Sequence, residues 1–256
     1  LKKLPVGFLA RIFKDYLKNK TSNSHPNGSL EEWLINKYGP TLYNLFFKTY
    51  SSKLWGVSPD GMASDWAVER IPPLRPTSVL LGLFGKKGSF RHYAAHYLYP
   101  KEGIGQIFQE MARHIKSYGG DIWLNSTVEK IYLDGNQVKA VETRKDKKRE
   151  ILELDWLLAT IPLPSLVNLL HPPLAPDLRE LARRLRYRSL RFLNLLIDAQ
   201  GISDNTWIYV PDKDFIIGRI QEPKNRSPYN APPGFTSLIL EIPCSVGDHT
   251  WQADAQ

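Results

Sequence analysis

Cysteine is nearly absent from this sequence of 256 residues, and no long apolar run occurs in it. Because Cys244 is the only cysteine, no internal disulfide can form, and a reducing, cytoplasmic location is the simplest prediction. No stretch approaches the roughly 18 apolar residues that a membrane-spanning helix needs. Segment 1–20 mixes basic and apolar residues without the apolar core or cleavage site of a signal peptide. The composition, 42% hydrophobic and 23% charged, is that of a globular protein.

The two ends of the sequence predict a fragment of a longer protein. The chain starts at Leu1 rather than at a methionine, and it ends at Gln256 without a recognisable stop.

The net charge of +8 is concentrated in two groups of basic residues. Arg144–Arg149 follows a turn and is interpreted as a solvated hairpin edge. The second group lies where a helix gives way to a strand, a place where basic side chains complement the helix dipole; it comprises Arg183, Arg184, Arg186, Arg188 and Arg191. Neither group has interleaved aromatics or a groove-entering motif, so no nucleic-acid partner is predicted. A basic module that binds nucleic acid or an anionic surface stays open as a non-enzymatic alternative.

Residues 1–98 are predicted to be mainly helical. Leu4–Lys18 and Leu42–Trp55 carry apolar residues at helical spacing, and Ser29 with Glu32 forms a capping-box pattern. The proline-rich segment 71–76 cannot be helical.

Residues 99–170 predict an α/β arrangement. Gly103–Tyr118 is an amphipathic helix that Gly119 and Gly120 terminate, with an apolar stripe of Ile104, Ile107, Phe108, Met111 and Ile115. A hairpin turn is predicted at Asp134-Gly135-Asn136. The predicted strands are Ile122–Leu124, Val128–Leu133, Val138–Thr143 and Ile151–Ile161, the last one buried on both faces.

Residues 171–256 are predicted to be rich in strands after a short helix, Pro176–Leu185. The strands are Leu190–Ile197, Thr206–Val210, Phe215–Ile220 and Thr236–Ile242, and Pro211–Asp214 connects the second and third as a hairpin. The whole chain is therefore predicted to be α+β.

Several familiar motifs are incomplete. Gly103 opens a possible dinucleotide fingerprint, but Phe108 replaces its third glycine, so the segment is only a helix start. Gly82–Ser89 does not have P-loop spacing. His92 and His96 have the spacing of metal ligands, but the segment is aromatic and strand-like, so no metal site is predicted. No catalytic constellation is recognisable, and the catalytic residues stay unassigned.

Aromatic residues with arginines close by in sequence form a more suggestive set: Trp55, Trp66, Trp207 and Tyr209, with Arg70 and Arg219. Guanidinium groups beside aromatic rings suit a ligand that carries phosphate or carboxylate and a flat ring or sugar. The alternative is that the tryptophans fill cores and the arginines cover surfaces.

An ordered series of segments from about residue 30 onward resembles one known group of proteins. The segments are YSSKLWGV (50–57), DWAVERI (65–71), YPKEG (99–103), IWLNSTVEKI (122–131), LATIP (158–162), TWIY (206–209), GRI (218–220) and RSPY (226–229). They resemble the FAD-dependent amine oxidases, the protoporphyrinogen oxidase-like proteins and the UDP-galactopyranose mutases.

The resemblance implies a two-domain, FAD-binding flavoprotein of which this chain is the central part. It implies a substrate domain with an antiparallel sheet, made of 1–98 and 171–256, and an α/β portion of the FAD domain, 99–170. Residues that correspond to the cofactor site are Gly103, Val128, Thr160, Ile161 and Pro162. Residues that correspond to the substrate site are Trp55, Arg70, Trp207, Tyr209, Arg219 and Tyr229.

Two departures from the family pattern bear on the function. Ser51 stands where those mutases usually carry asparagine. The glycine-rich FAD fingerprint and the later Gly-Asp segment are expected before residue 1 and after residue 256. The implied function is an FAD-dependent oxidoreductase acting on a small molecule, with a mutase-like isomerase acting on a sugar nucleotide as the alternative.

Overall fold

The computed structural model describes residues 5–19, 28–70 and 97–254. Contacts divide the chain into a first unit, Leu1–Gln106 with Arg188–Gln256, and a second unit, Ile107–Tyr187. Each unit combines helices with a four-stranded sheet, so the α+β prediction is confirmed. The division of the sequence at residues 98 and 170 stays a prediction.

The helices agree well with the periodicity of the sequence, and a π-helical turn, Tyr43–Phe47, joins the third to the fourth. They are α1 (Val6–Asn19), α2 (Leu30–Tyr38), α3 (Pro40–Leu42), α4 (Lys48–Trp55), α5 (Asp65–Arg70), α6 (Gly105–Ser117), α7 (Leu163–Leu169), α8 (Pro176–Arg183) and α9 (His249–Gln252). None of the described helices is both long and apolar enough to cross a membrane.

The strands form two separate sheets. They are β1 (Ser126–Asp134), β2 (Gln137–Lys145), β3 (Lys148–Glu153), β4 (Leu170–His171), β5 (Ser189–Ile197), β6 (Trp207–Tyr209), β7 (Arg219–Gln221) and β8 (Thr236–Cys244). The second unit has the order β3-β2-β1-β4, and the first unit has the antiparallel order β5-β8-β7-β6.

Local signals place several of these elements. The capping box is present: Ser29 Oγ accepts from the Glu32 N–H, and Glu32 accepts from the Ser29 N–H. Asp134 pairs with Gln137 across the predicted hairpin turn, in which Gly135 has φ +60°. Gly119 takes a positive φ after α6, and Gly120 donates to the Ile115 carbonyl at 2.9 Å. These signals work because each hydrogen bond closes within a few residues of sequence.

The helical core of the first unit forms where α1, α2, α3 and the π-helical turn meet α5. It contains Ile12, Leu30, Trp33, Leu34, Tyr38, Leu42, Tyr43 and Ala67. Tyr38 stacks on Phe47 with ring centroids 5.0 Å apart, and burial raises its pKa. Cys244 is fully buried, as is common for a free cysteine, which behaves as a small apolar side chain. Trp66 packs against this core and contacts Trp55 at the end of α4.

One strand prediction is wrong, and two are wrong in part. Ile122–Leu124 lies outside any strand, and only the end of Phe215–Ile220 belongs to β7. Ile151–Ile161 is a strand only as far as Glu153, after which Trp156 is 92% exposed instead of buried. A buried strand needs a hydrogen-bonded partner, and among the backbone groups described for 154–161, only the Leu154 N–H reaches β2. Apolar composition does not supply that partner.

Candidate ligand-binding site

One face of the sheet in the first unit carries a set of aromatic and polar side chains in register. Tyr209 on β6 is opposite Arg219 on β7, and Arg219 is opposite Glu241 on β8. One step along, Trp207 is opposite Gln221. Side chains two residues apart on a strand share a face, so these five lie together.

Arg219 and Glu241 form a two-pronged ion pair at the centre of this face. The guanidinium Nε and Nη2 donate to the two carboxylate oxygens at 2.9 and 2.8 Å. The Glu241 side chain is only 5% exposed, and Gln221 Nε2 also donates to it. Without Arg219, the charge of the buried Glu241 carboxylate would be uncompensated, so we expect Arg219 to stay paired with Glu241.

Helix α4 lies against this face through Tyr50 and Lys53. The rings of Tyr50 and Tyr209 meet edge to face with centroids 5.4 Å apart. Burial, followed by the nearby Tyr209, raises the pKa of Tyr50. Lys53 Nζ donates to the carbonyls of Val210 at 2.8 Å and of two further residues in the loop between β6 and β7. Burial lowers the pKa of Lys53, and its ammonium group fixes the loop that turns β6 back into β7.

Arg188 caps the C-terminus of α4 and so fixes the position of Trp55. Its guanidinium donates to the carbonyls of Lys53 at 3.2 Å and Leu54 at 3.3 Å, and also to Ser245. Cations are favourable at this end of a helix, where the last carbonyls lack backbone partners. The sequence placed Arg188 near the end of α8, whereas it serves a helix more than a hundred residues earlier in the chain.

Two cations lie over aromatic rings beside this face of the sheet. The guanidinium carbon of Arg226 is 5.5 Å from the ring centroid of Trp207, and Arg226 also donates to Gln221. Lys101 Nζ is 4.3 Å from the ring centroid of Tyr229. Ser227 lies between Arg226 and Tyr229 in the sequence, and its hydroxyl donates to the Lys101 carbonyl. The loop of residues 226–229 is thereby fixed against residues 99–103.

The structure brings together only some of the residues predicted for substrate binding. Trp207, Tyr209 and Arg219 share the sheet face, and Tyr229 is on the neighbouring loop. Trp55 contacts Trp66, with ring centroids 5.4 Å apart, at the end of α4. Arg70 ends α5, and its side chain lies outside those that the structure describes. The substrate role of all six residues stays a prediction.

The residues predicted for the cofactor site are divided between the two units. Val128 is on β1, and Thr160, Ile161 and Pro162 are exposed just before α7. Gly103 belongs to the first unit, with φ +98°, and a Cβ there would lie 3.1 Å from Asn230 Oδ1. The positive φ, together with this close contact, explains the glycine at this position.

The described cofactor residues suit an apolar ring and not a diphosphate. Val128 and Ile161 offer exposed apolar surface, whereas charge-stabilising donors normally hold a diphosphate. The sequence also lacks a complete dinucleotide fingerprint, and within the described residues 97–104 no strand leads into α6. The role of these residues in binding a cofactor stays a prediction. Within the described ranges, no cluster of three or more His, Cys, Asp or Glu suits a metal ion.

Much of the positive charge serves internal contacts. Arg144 and Arg149, on the exposed β2–β3 hairpin, both pair with Glu129, and Arg191 donates to carbonyls around α9. The predicted solvated hairpin edge is confirmed. The lack of a nucleic-acid partner stays a prediction.

Sequence reasoning missed Glu241, Gln221, Arg226 and Lys53. Glu241 was detectable in principle, because a single carboxylate inside an otherwise uncharged and mostly apolar strand, 236–244, requires a buried partner. Gln221 was detectable as the residue two places after Arg219, on the same strand face. Nothing in the local sequence marks Lys53 or Arg226.

The fold is similar to those of several solved structures. Reduced UDP-galactopyranose mutase matches with a TM-score of 0.76 and 20% identity over 95% of this chain and 53% of that one. A protein from Exiguobacterium sp. 255-15 assigned as a protoporphyrinogen oxidase matches with a TM-score of 0.65 and 18% identity, over 98% and 54%. An oxidoreductase from Methanosarcina mazei matches with a TM-score of 0.59 and 16% identity, over 93% and 52%.

These similarities confirm the predicted fold relationship. The chain spans slightly more than half the length of the three solved structures. No model of a protein family matches the sequence.

Proposed function

We propose that this chain is the central segment of an FAD-dependent oxidoreductase, and that it supplies the substrate pocket and one flank of the FAD site. The observation that carries the proposal is the sheet face of Trp207, Tyr209 and Arg219 within a fold shared with oxidoreductases along nearly the whole chain. FAD would supply hydride acceptance when bound. The chain's own residues would bind a small-molecule substrate and orient it.

The pocket residues fall into two chemical kinds. Trp207 and Tyr209 are about half exposed, so their rings are available to stack against a flat group or a sugar. The Arg219–Glu241 pair lies near Tyr209 and Tyr50, and it joins β7 to β8 without adding net charge. The reacting group of the substrate and the catalytic residues stay unassigned.

A sugar-nucleotide isomerase of the UDP-galactopyranose mutase type is the second candidate. The TM-score of 0.76 to a mutase and the Trp-x-Tyr pair, Trp207 and Tyr209, favour it. Two observations favour the oxidoreductase instead. Ser51 replaces the usual asparagine of the mutases, and Arg219 already neutralises a buried carboxylate rather than standing free for a diphosphate.

The test uses the longer polypeptide that we propose contains this chain. Its absorbance spectrum after purification shows whether flavin is bound, and uridine diphosphate-galactose is then titrated in. We expect bound flavin, together with net reduction of an electron acceptor in the presence of a substrate. Interconversion of sugar rings with an inert acceptor would favour the isomerase, and a colourless protein that FAD cannot reconstitute would refute both candidates.

The predicted cytoplasmic location fits a flavoenzyme whose single cysteine, Cys244, is buried and free. Fractionation of cells that express the protein would test this location.

A further inference from the structure

The charges around the sheet face are unevenly compensated. Arg219 has a buried carboxylate on two of its donors, so the Arg219–Glu241 pair is close to neutral. Arg226 contacts only a neutral amide oxygen and an aromatic ring, and no carboxylate among the described residues lies within ion-pair distance of it. The uncompensated guanidinium at this face is therefore Arg226, although Arg219 is the residue that the sequence resemblance selects.

The position of Arg226 is fixed by a continuous chain of hydrogen bonds. Gln221 Nε2 donates to Glu241, which also accepts from Arg219. Because the Gln221 amide nitrogen faces Glu241, its oxygen is turned toward Arg226 and accepts from Nη2. A guanidinium has five donors in a fixed fork, so holding one of them leaves the opposite edge able to meet an anion.

Trp207 makes the same place suitable for a flat group. Its ring is 44% exposed, and the Arg226 guanidinium lies over it at 5.5 Å. Tyr229, three residues after Arg226, is 58% exposed and has Lys101 over its ring at 4.3 Å. A second cation thus lies over the aromatic ring of the loop that carries Arg226, and Ser227 ties this loop to Lys101.

We propose that Arg226, with Trp207 beneath it and Lys101 beside Tyr229, binds the anionic end of a substrate that also carries a planar group. This inference rests on the proposed function only in naming the bound molecule as a substrate. The anionic group is a carboxylate or a phosphate, since a guanidinium fork fits either of them. Arg219 is a positioning residue, which orients Gln221 through Glu241.

The experiment titrates the full chain with benzoate, phenyl phosphate and the uncharged benzyl alcohol, and follows the tryptophan indole N–H signals by NMR. We expect both anions to bind with dissociation constants of about 1–10 mM, and benzyl alcohol to bind at least about tenfold more weakly. Tighter binding of benzoate would identify a carboxylate substrate, and tighter binding of phenyl phosphate a phosphorylated one. Equal binding of benzyl alcohol, or no shift with either anion, would overturn the proposal.

Variants assign the binding to Arg226. Arg226→Met is expected to weaken anion binding by about tenfold, and Arg226→Lys to weaken it less, because lysine keeps the charge and loses the fork. Arg186→Met, the same substitution at an exposed position of the second unit, should leave binding unchanged. Melting curves of all variants check folding. A folded Arg226→Met protein that binds anions as the parent does would refute the assignment.

Failure of this inference is distinguishable from failure of the proposed function. A longer polypeptide without flavin, whose anion binding still depends on Arg226, would refute the flavoenzyme and support the anion site. A flavin-containing polypeptide whose anion binding is insensitive to Arg226→Met would support the flavoenzyme and refute the anion site.

Discussion

Glu222 provides a sharp test of how the candidate site is held in place. The carboxylate is 2% exposed, and it follows Gln221 at the end of β7. One oxygen accepts from the Ile202 N–H at 2.9 Å and the Thr236 hydroxyl at 2.7 Å. The other accepts from the Ser203 N–H at 2.9 Å and from two weaker donors at 3.3 Å. Glu222 thus fixes the segment that leads into β6 and Trp207.

The substitution Glu222→Gln keeps the shape and removes the charge. Whichever way the amide is oriented, its NH₂ group must face a backbone N–H, of Ile202 or of Ser203, so one set of bonds is lost. A hydrogen bond to a charged group contributes about 1.5–3 kcal/mol, and a buried donor left unpaired costs about 1–3 kcal/mol. We expect a loss of about 2–4 kcal/mol in the free energy of unfolding, or about 5–15 °C in Tm.

The effect should depend on pH in a defined direction. Burial by itself raises the pKa of Glu222, but the hydrogen bonds from Ile202, Thr236 and Ser203 outweigh burial and lower it below its ordinary 4.5. A lowered pKa in the folded state means that the stabilisation is fully present above the unfolded pKa and is lost as the pH falls through the folded one. The difference between parent and variant should therefore shrink below about pH 4.5.

The assay is urea unfolding of parent and variant at neutral pH and at several values below pH 5. Glu150→Gln is the matched control, because Glu150 is exposed on β3 and the change in charge is identical. A variant as stable as the parent at neutral pH, or a difference that persists unchanged at low pH, would show that the carboxylate does not hold this segment.

The remaining predictions concern helix ends and the loop between β6 and β7. Arg188→Met should lower the free energy of unfolding by about 1–3 kcal/mol, because the last carbonyls of α4 lose their donor. Arg186→Met is the control, and equal melting temperatures of the two variants would contradict the capping role. Lys53→Met should also lower the free energy of unfolding by about 1–3 kcal/mol, and it should speed proteolysis of the loop at 210–217. Unchanged cleavage would contradict the role of Lys53 in binding the three loop carbonyls. Ser29→Ala should lower the free energy of unfolding by about 1 kcal/mol through loss of the capping box, measured by thermal melting, and a neutral result would argue that the cap is replaced by water.

Local signals in the sequence located the helices, one helix cap and one hairpin. Ser29 with Glu32, Asp134-Gly135-Asn136 and the glycines after α6 act through bonds that close within a few residues, so their residue types are sufficient evidence. The ordered resemblance to flavoproteins also predicted the fold that the solved structures share with this chain.

The sequence placed Trp207, Tyr209 and Arg219 in one site, and strand alternation supports that prediction because β6 and β7 are neighbours. It did not predict which charge is free. Arg219 and Glu241 are 22 residues apart, and only the register of β7 against β8 brings their charges together. The extra strand expected through 154–161 was wrong for the same reason, since strand formation depends on a partner backbone that apolar composition does not specify.

Local hydrogen bonds and apolar periodicity depend only on short stretches of sequence, and they determined the helices, the turns and most of the strands of this protein. The tertiary structure decided the partners of its charges. Arg188 reaches back 135 residues to the end of α4, and Lys53 reaches forward 157 residues to the loop after β6. Whether an arginine is neutralised, used as a cap or left free for an anion depends on which groups the fold brings within about 3 Å of it, and a sequence records residue types without those distances.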